Sequence, residues 1–349
     1  MTLRRTAFAI PGDLNTVTGG YIYERLLLET LRTLGHDVQH IQLGASFPNP
    51  SQADMDHAVR ALTDLTPDRP LILDGLVYGS IATHGLAQVR APIVAMIHHP
   101  LALETGLDQM QRDHLFRTER DNLGLAQHVL VPSPHTADIL ASEYDVPRNR
   151  ITIAPPGTVR PDATRQPIDP PMILSVGIQH ARKGHDVLLR ALAELDHLRW
   201  TATVVGSAYD PDHSTHLKTL VRHLGLTDHV TFTGQIPQNT LDQLYRQATV
   251  FALATRYEGY GIVFNDALAW GLPIVSCRTG AVGQTVPDDA GILVPPDDPA
   301  RFATALETVL SDTVRRTSMT NAALRHGQDL PSWTDTARIA SGVLNTLHV

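Results

Sequence analysis

The chain has 349 residues, of which 42% are hydrophobic and 18% charged, with 24 glycines and 24 prolines. This composition excludes a disordered chain, and the length exceeds what one hydrophobic core usually organises, so two domains are expected. A net charge of −8 argues against a general nucleic-acid binder. The single cysteine, Cys277, excludes an internal disulfide and a thiolate metal cluster.

The sequence also bears on membranes and targeting. No apolar run approaches the roughly 18 residues that a membrane span needs. The N-terminal stretch MTLRRTAFAIPGDLN is too briefly apolar for a signal peptide, because Pro11 and Gly12 interrupt it. No Lys/Arg-rich run stands out, so at most peripheral contact with anionic lipid is expected. We therefore expect a soluble, cytoplasmic protein.

Short apolar runs alternate with longer amphipathic segments along the whole chain. Such strand–helix alternation predicts parallel sheets that are covered by helices on both faces. The predicted strands form a first series, Thr6–Ile10, Leu71–Leu73, Pro92–Ile97, Val129–Val131 and Ile151–Ile153, and a second series, Met172–Val176, Thr201–Val205, Val230–Thr233, Val250–Leu253 and Ile274–Cys277.

A proline-rich segment separates the two series of strands. From Pro155 to Pro171 the chain reads PPGTVRPDATRQPIDPP. Proline at this density suits neither a helix interior nor a central strand. The segment is therefore predicted to link two Rossmann-like domains.

The loop after the strand Met172–Val176 carries two neighbouring cations. It reads GIQHARKGHDVLLRAL, so that Arg182 and Lys183 precede an amphipathic helix predicted over His185–Leu195. Parallel sheets bind ligands beyond the carboxyl ends of their strands, and a helix N-terminus favours anions. These residues indicate a diphosphate site, with a solvated basic turn as the alternative interpretation.

A second loop, RYEGYGIVFNDALAWGLPIVSC, combines an acid with two glycines. Glu258 is placed at the end of a strand, and Gly259 and Gly261 flank Tyr260. Glycines at such a position let the backbone approach a ligand closely and adopt unusual dihedral angles. The loop is therefore a second candidate for ligand binding.

The helix predicted after this loop, over Ile262–Trp270, is apolar except for a few residues that include Asp266. A buried carboxylate is costly without hydrogen-bond donors, and sugar or ribose hydroxyls could supply them. The alternative is that Asp266 bonds a neighbouring backbone group or an arginine.

These residues carry a resemblance to a known family. The segment EGYGIVFNDALAWGLPIV resembles the Glu-x7-Glu block of family-4 retaining glycosyltransferases. In that family the first acid contacts the donor sugar and the second contacts the ribose. Glu258 fills the first place, and Asp266 fills the second with a side chain that is one methylene shorter.

Other positions both follow the family pattern and depart from it. The segment ARKG, in the loop that begins at Gly177, resembles the family's diphosphate loop, with Lys183 at the usual lysine. Ile178 stands where the family often has an arginine, so the resemblance assigns that role to Arg182. Further on, Gln284 stands where a glutamate is common.

The N-terminal half is similar to the same family. TGGYIYERLLLETLRTLGHDV resembles its first loop and helix, in which Gly19 and Gly20 come near the donor phosphates and the acceptor. IVAMIHHP resembles the strand whose terminal histidine faces the reacting centre, which favours His98 over His99. The alternative is that His98 is an ordinary core or surface histidine. VPSPHTADIL, APPGT and SWTDTARIASGVLNTL are also similar, so the resemblance runs nearly end to end.

The resemblance implies an α/β fold of the GT-B type, with two Rossmann-like domains that face each other across a cleft. Residues 1–157 would form the acceptor-side domain, with a C-terminal helix over 333–348 packing back on it, and residues 172–332 the domain that binds the nucleotide sugar. The donor-binding residues would be Gly19, Gly20, Gly177, Arg182, Lys183, Glu258, Gly259, Tyr260, Gly261 and Asp266.

The implied reaction moves a hexose-type sugar from a UDP-, GDP- or ADP-sugar to an unidentified acceptor, which is a glycan, a lipid-linked molecule or a small molecule. Arg182 and Lys183 would stabilise charge on the leaving diphosphate. Glu258 would orient the sugar, His98 would contact it, and the anomeric configuration would be retained.

We expect neither a metal nor another cofactor, since the nucleotide sugar is a substrate and GT-B enzymes generally work without a metal. The pair Asp297–Asp298 is interpreted as a turn, because no cluster of other ligands accompanies it. Nucleic acid is not an expected partner.

Two alternatives stay open. A catalytically silent GT-B protein that binds a sugar nucleotide, or serves as a partner subunit, is favoured by the departures at Asp266, Ile178 and Gln284. A sugar phosphorylase would instead use inorganic phosphate as the acceptor.

Overall fold

The computed structural model describes residues 5–347, which divide into two compact units. Unit one takes in the chain up to Gly157 and again from Pro331 onward, and unit two is Thr158–Leu330. Each unit contains one six-stranded sheet. The strand pairs of both sheets are parallel, so the predicted α/β class is confirmed.

The sheet of unit one has its most buried strands at its centre. Its strands are β1 (Arg5–Pro11), β2 (Asp37–Leu43), β3 (Leu71–Asp74), β4 (Ile93–Met96), β5 (His128–Val131) and β6 (Ile151–Ile153). They lie in the order β2-β1-β3-β4-β5-β6. All four residues of β3 and all four of β4 are buried, as expected for inner strands of a parallel sheet.

Helices connect these strands, as a parallel sheet requires. In the first helix, Tyr23, Leu27 and Leu31 recur at helical spacing and are buried against the sheet core. The helices are α1 (Gly19–Thr33), α2 (Gln52–Thr63), α3 (Gly75–Tyr78), α4 (Thr83–Leu86), α5 (Gln109–Leu123) and α6 (Pro134–Glu143), with 3₁₀ turns at Leu101–Leu103 and Arg148–Arg150.

The sheet of unit two repeats this construction. Its strands are β7 (Met172–Val176), β8 (Thr201–Val205), β9 (Val230–Gly234), β10 (Val250–Leu253), β11 (Ile274–Cys277) and β12 (Gly291–Val294). They lie in the order β12-β11-β10-β7-β8-β9. The helices are α7 (His185–Ala193), α8 (Pro211–His223), α9 (Gln238–Gln247), α10 (Ile262–Ala269), α11 (Val282–Thr285), α12 (Pro299–Ser311) and α13 (Thr313–Asp329), with a 3₁₀ turn at Ala181–Lys183.

Strand β10 shows that both faces of this sheet are buried. Val250 and Ala252 pack into one hydrophobic cluster, whereas Phe251 and Leu253 pack into another. Since successive side chains of a strand point to opposite faces, the two clusters lie on opposite sides of the sheet. The continuous apolar run that predicted this strand therefore reflects burial on both faces.

The last helix, α14 (Trp333–Thr346), returns to unit one and packs on α1. The Trp333 and Tyr23 rings meet edge-to-face with centroids 5.5 Å apart. The Thr336 hydroxyl donates to the Pro155 carbonyl at 2.7 Å. A Cβ at Gly157 would lie 2.2 Å from the Trp333 amide nitrogen, so this close approach needs glycine.

The ten strands predicted from apolar runs are all present, with ends shifted by at most one residue. Residues 5–347 contain two further strands, β2 and β12, and each forms an edge of its sheet. In β2 only Val38 and Leu43 are buried, and in β12 only Val294. Strand β2 lacks a continuous apolar run because its side chains are mostly in contact with solvent, whereas β12 contains a short apolar run at residues 292–294, which was not predicted as a strand.

The proline-rich segment differs from the prediction. Only its first residues belong to unit one, and unit two begins at Thr158. The Arg165 guanidinium donates to the carbonyl oxygens of Ala248 and Gly271 in unit two. The segment from 158 to 171 is therefore fixed on unit two rather than forming a separate linker.

Several predicted element ends also need correction. Helix α7 ends at Ala193 rather than Leu195, and α10 ends at Ala269 rather than Trp270. The C-terminal helix ends at Thr346, and residue 348 of the range predicted for it, like residues 1–4 of the predicted first domain, lies outside the described residues. No helix within residues 5–347 combines the length and apolar character required to cross a membrane.

Gly184 fixes the junction between the loop after β7 and the loop after β10. It has φ +62° and is the residue from which α7 starts. A Cβ here would lie 1.9 Å from the carbonyl oxygen of Ala254, which directly follows β10. The two loops can therefore approach this closely only with glycine at 184.

We predict that Gly184→Ala destabilises the protein more than Gly225→Ala does. Gly225 has φ +69° with nothing within 4 Å of its would-be Cβ, so alanine there meets only the backbone strain of the left-handed region, about 1 kcal/mol. Alanine at 184 meets that strain and a backbone clash, which together should cost about 2–4 kcal/mol. Urea denaturation of both variants measures the difference, and equal losses would contradict the packing described.

Candidate functional site

Three of the predicted site residues form a charge cluster in unit two. They follow β7 and β10, which are neighbours in the sheet. The Lys183 Nζ lies 2.7 Å from Glu258 Oε1, and the Arg182 guanidinium lies 3.7 Å from Glu258 Oε2. The side chains are 13%, 15% and 6% exposed for Lys183, Arg182 and Glu258. Two cations facing one carboxylate leave an excess of positive charge at this nearly buried position.

The two cations keep Glu258 ionised. Burial by itself raises the pKa of this carboxyl, because the charged form loses its hydration. The charges of Lys183 and Arg182, with hydrogen bonds from Lys183 and Thr255, outweigh burial and bring the pKa below its usual value of 4.5. Glu258 is therefore a carboxylate at neutral pH and accepts hydrogen bonds.

The position of Glu258 corrects the prediction that it ends a strand. Strand β10 ends at Leu253, so Glu258 lies inside the loop that follows. Thr255 supports it there, since its hydroxyl lies 2.9 Å from Glu258 Oε1. The Glu258 carbonyl accepts the Ala281 amide at 2.8 Å, and a Cβ at Gly280 would lie 2.2 Å from that carbonyl oxygen. Contacts with Thr255, which precedes Glu258, and with Ala281, which follows it in the chain, thus hold the loop in place.

Arg256 ties the cation-bearing loop to the same region. Its guanidinium contacts both carboxylate oxygens of Asp186, at 3.0 and 2.9 Å, and Asp297 at 2.7 Å. Its backbone N–H donates to the Arg182 carbonyl at 2.8 Å. A bidentate arginine–carboxylate pair has a defined geometry, so this clamp limits how far Arg182 can move.

Gly177 provides the surface on which the Lys183 side chain lies. A Cβ at Gly177 would stand 3.4 Å from the Cγ and Cδ atoms of Lys183. His185 Nε2 lies 3.2 Å from the Gly177 carbonyl oxygen, and burial lowers the pKa of this histidine to about 4. The ring is thus neutral at physiological pH and donates from Nε2, which fixes Gly177 from the side of α7.

The second glycine loop leads into α10 as predicted from the sequence. Gly261 has φ +88° and precedes the first residue of α10. The Tyr260 hydroxyl lies 3.2 Å from Asn265 Oδ1, and its carbonyl accepts from Thr285 at 2.9 Å. Gly259, between Glu258 and Tyr260, is buried. These contacts order the backbone next to Glu258.

Asp266 has surroundings that differ from those of Glu258. It is half-buried on α10, and its pKa is raised to about 7, first by burial and then by the charge of Asp242 on α9. The cations that lower the pKa of Glu258 are not among the causes for Asp266. Whether Asp266 contacts a ribose therefore remains a prediction, as do the consequences of the half-buried Ile178 and the exposed Gln284.

In unit one, His98 packs against the glycines that begin α1. A Cβ at Gly20 would lie 3.4 Å from His98 Cδ2, whereas one at Gly19 would meet nothing within 4 Å. The Tyr23 ring stands edge-to-face to His98 with centroids 5.2 Å apart. Burial lowers the pKa of His98, although the charge of Asp74 acts in the opposite direction, so the imidazole is neutral at neutral pH.

The neighbouring histidine has different partners. His99 Nε2 lies 2.6 Å from Glu104 Oε1. His98 instead lies next to Glu24, with 3.4 Å between His98 Nε2 and Glu24 Oε1. Successive residues of an extended chain point to opposite sides, so the separation of the two imidazoles agrees with the predicted register.

Two buried acids beside His98 were not singled out from the sequence. Glu24, on α1, is 1% exposed, and Asp74, the last residue of β3, is 3% exposed. Arg256, Asp186 and Thr255 were also missed. The available signal was an acid within an otherwise apolar stretch, IYERLLL for Glu24 and LILDG for Asp74, which is the signal that drew attention to Asp266.

Glu24, Asp74 and His98 also form a set of atoms that could ligate a metal ion, since their oxygen and nitrogen atoms lie within 4.8 Å of one another. An acid pair with one imidazole is a ligand set found at divalent-metal sites. The absence of a metal requirement, expected from the sequence, therefore remains a prediction.

Two family models match adjoining parts of the chain. The family described as "Glycosyltransferase Family 4" matches residues 74–159, and the family described as "Glycosyl transferases group 1" matches residues 160–326. The first match contains Asp74 and His98, and the second contains the Lys183–Glu258 cluster. The resemblance found in the motifs is confirmed.

Curated relatives carry one recurring name. The D-inositol 3-phosphate glycosyltransferase of Corynebacterium kroppenstedtii is 30% identical over 263 residues, which is 69% of this chain and 58% of the relative. That of Acidothermus cellulolyticus is 31% identical over 245 residues, 64% of this chain and 54% of the relative. The chain thus spans somewhat more than half the length of these curated relatives.

Solved structures share the fold over almost the whole chain. Sucrose-phosphate synthase from Thermosynechococcus elongatus has a TM-score of 0.81 and 21% identity, with 98% of each chain covered. The Anabaena protein HepE in complex with UDP-glucose has a TM-score of 0.79 and 16% identity, covering 98% of this chain and 100% of that one. At these identities the likeness concerns the fold alone.

The state of Glu258 gives a prediction about stability and pH. Its pKa is lowered on folding, so its contribution is present above the unfolded pKa and is lost as the pH falls through the folded pKa. We predict that Glu258→Gln lowers the free energy of unfolding by about 1–3 kcal/mol at neutral pH and by much less near pH 3.

Urea denaturation at both pH values measures this difference. Glu194→Gln is the control, because Glu194 is an exposed glutamate at the end of α7. A loss of the same size at both pH values would show that Glu258 does not act as an ionised partner of the two cations.

Proposed function

We propose that this chain, which matches two glycosyltransferase family models, transfers a sugar from a nucleoside diphosphate sugar to an acceptor hydroxyl with retention of configuration. The donor would be a UDP-, GDP- or ADP-sugar. The proposal includes a donor site in unit two and a contribution to the reaction from His98 in unit one.

The Lys183–Arg182–Glu258 cluster is the observation that carries the proposal. A nucleoside diphosphate brings negative charge, and the cluster offers an excess of positive charge in front of α7. Electrostatic interactions are stronger at a nearly buried position than in water, so each contact to a phosphate stabilises the bound diphosphate more. The carboxylate of Glu258, held ionised by the same cations, is an acceptor for sugar hydroxyls.

In the proposed reaction, the bond between the anomeric carbon and the diphosphate oxygen breaks, and a bond from that carbon to the acceptor oxygen forms on the same face. The acceptor's proton passes to the departing phosphate oxygen, so no protein base is required. Lys183 and Arg182 stabilise the charge that grows on the leaving group. This charge stabilisation comes from the chain itself, and we expect activity without added metal.

The names of the curated relatives suggest the first acceptor to test. Several are D-inositol 3-phosphate glycosyltransferases, so we propose a hydroxyl of a phosphorylated polyol as the first candidate. Inositol phosphate is to be compared with non-phosphorylated inositol, because these two acceptors differ only in the phosphate.

A catalytically silent binder of sugar nucleotides is the second candidate. The raised pKa of Asp266, at the position that the family gives to a ribose contact, favours it. The two candidates differ in turnover, since a binder would hold the donor without hydrolysing or transferring its sugar.

We predict that Lys183→Ala and Arg182→Ala each weaken binding of the nucleoside diphosphate. Loss of one charge-assisted contact to a phosphate should cost about 1.5–3 kcal/mol, or about 10- to 100-fold in Kd. Isothermal titration calorimetry with UDP, GDP and ADP measures this effect. Thermal unfolding curves first establish that each variant is folded.

Lys218→Ala is the matched control, because the sequence contains two lysines and Lys218 is exposed on α8. It should bind with unchanged affinity. If both loop variants bound as tightly as the parent protein, the donor site would have to lie elsewhere.

A further inference from the structure

Three side chains from separate parts of unit one meet in its interior. Glu24 lies on α1, Asp74 ends β3, and His98 follows β4, the strand that neighbours β3. The two carboxyl groups are almost completely buried, and the His98 side chain is 21% exposed. The exposed part of the cluster is thus the imidazole, and the two acids lie behind it.

The two acids and His98 face one another in this cluster. The groups that shift their pKa values are each other, His98 and the backbone around Val77, with no lysine or arginine among them. Burial raises the pKa of Glu24 to about 8, and burial together with the charge of Glu24 raises that of Asp74. A side-chain hydrogen bond joins the two carboxyl groups, so Asp74 holds Glu24 beside the imidazole.

The geometry defines how this pair meets the imidazole. Asp74 Oδ1 accepts the amides of Leu76 and Val77 at 2.9 and 3.3 Å, which holds its carboxyl group in place. Glu24 Oε1 and His98 Nε2 are both buried, have no hydrogen-bond partner among the described residues and lie 3.4 Å from each other. A small rotation of either side chain therefore completes a hydrogen bond between them.

Helix α1 restricts the ring to this orientation. Gly20 and Glu24 lie one turn apart on the same face of the helix, and His98 lies against both. Tyr23, whose hydroxyl donates to the Ala154 carbonyl at 2.8 Å, packs against the ring from its edge. The ring is neutral, so it has one N–H to donate, and Glu24 is the acceptor beside Nε2.

We propose that Glu24, held beside Asp74, accepts the Nε2 hydrogen of His98 and so keeps the ring in the tautomer with hydrogen on Nε2, which leaves Nδ1 as a hydrogen-bond acceptor. The two acids are positioning residues, and His98 is the group that they position for a hydroxyl donor such as a sugar. The role of His98 towards a sugar rests on the proposed function, whereas the tautomer of His98 does not.

The tautomer is measured without substrate, by two-bond ¹H–¹⁵N correlation spectra of protein labelled with ¹⁵N-histidine. The sequence has 18 histidines, so the His98 signals are identified by their loss in His98→Gln. We expect a neutral His98 ring with hydrogen on Nε2 near neutral pH. Glu24→Gln and Asp74→Asn should shift His98 towards a mixture of tautomers.

Glu119→Gln is the matched control. Glu119 is another fully buried glutamate of unit one, its pKa is raised to about 8 by burial, and its carboxyl group accepts a hydrogen bond from the Leu101 amide at 3.0 Å. It should leave the His98 signals unchanged. The same change in Glu119→Gln as in Glu24→Gln would show a general effect on folding and would overturn the proposal.

Turnover is the second measurement. Glu24→Gln should lower kcat about 10- to 100-fold and leave the donor KM nearly unchanged, because Glu24 acts by orienting the imidazole. An unchanged kcat in Glu24→Gln contradicts the proposal.

Three other results would overturn the inference. The first is hydrogen on Nδ1 of His98 in the parent protein, and the second is unchanged His98 signals in both Glu24→Gln and Asp74→Asn. The third is one equivalent of a divalent metal that is present in the parent protein and absent from Glu24→Gln. Elemental analysis of the purified protein tests the last of these. If the parent protein shows no turnover at all, the proposed function fails, and the tautomer spectra still decide the state of the cluster.

Discussion

The ion pair between Lys183 and Glu258 is the contact on which the proposed chemistry of unit two depends. It joins the loop after β7 to the loop after β10 across 2.7 Å, at a position where either charge alone would cost several kcal/mol. In the proposed reaction the diphosphate takes over part of the charge of Lys183 and Arg182, and Glu258 becomes available to the sugar hydroxyls. Gly184 and the Arg256–Asp186 clamp matter because they hold the two loops close enough for this exchange of partners.

The same constraint, that a buried charge needs compensation, is met in two ways in this chain. Glu258 is compensated by cations, so its pKa is lowered and it remains a carboxylate. The pKa values of Glu24 and Asp74 are instead raised by burial, and in our proposal Glu24 accepts the Nε2 hydrogen of His98. One arrangement suits a group that accepts hydrogen bonds from a substrate, and the other suits groups that orient a neighbouring residue.

The sequence was informative where local patterns determine the structure. Apolar runs located the inner strands, and the rule that ligands bind at the carboxyl ends of parallel strands brought Arg182, Lys183 and Glu258 to one site. The edge strand β2 was missed because it is half solvated and has no continuous apolar run, and β12 was missed although its residues 292–294 are apolar. Glu24 and Asp74 are far apart in sequence and meet only through tertiary packing. For the same reason, the sequence showed that Asp266 lies on a helix but not that Asp242 on α9 lies near enough to raise its pKa.

The most direct test of the central claim compares the reactivity of the two lysines towards an amine-specific acylating reagent, followed by mass spectrometry. Lys183 is nearly buried and ion-paired, whereas Lys218 is exposed and serves as the internal standard within the same molecule. We expect that a nucleoside diphosphate or its sugar, at a concentration that saturates the protein, slows modification of Lys183 severalfold and leaves the modification of Lys218 unchanged. If each of the UDP, GDP and ADP compounds left the rate at Lys183 unchanged while binding was detected calorimetrically, Lys183 would not hold the diphosphate.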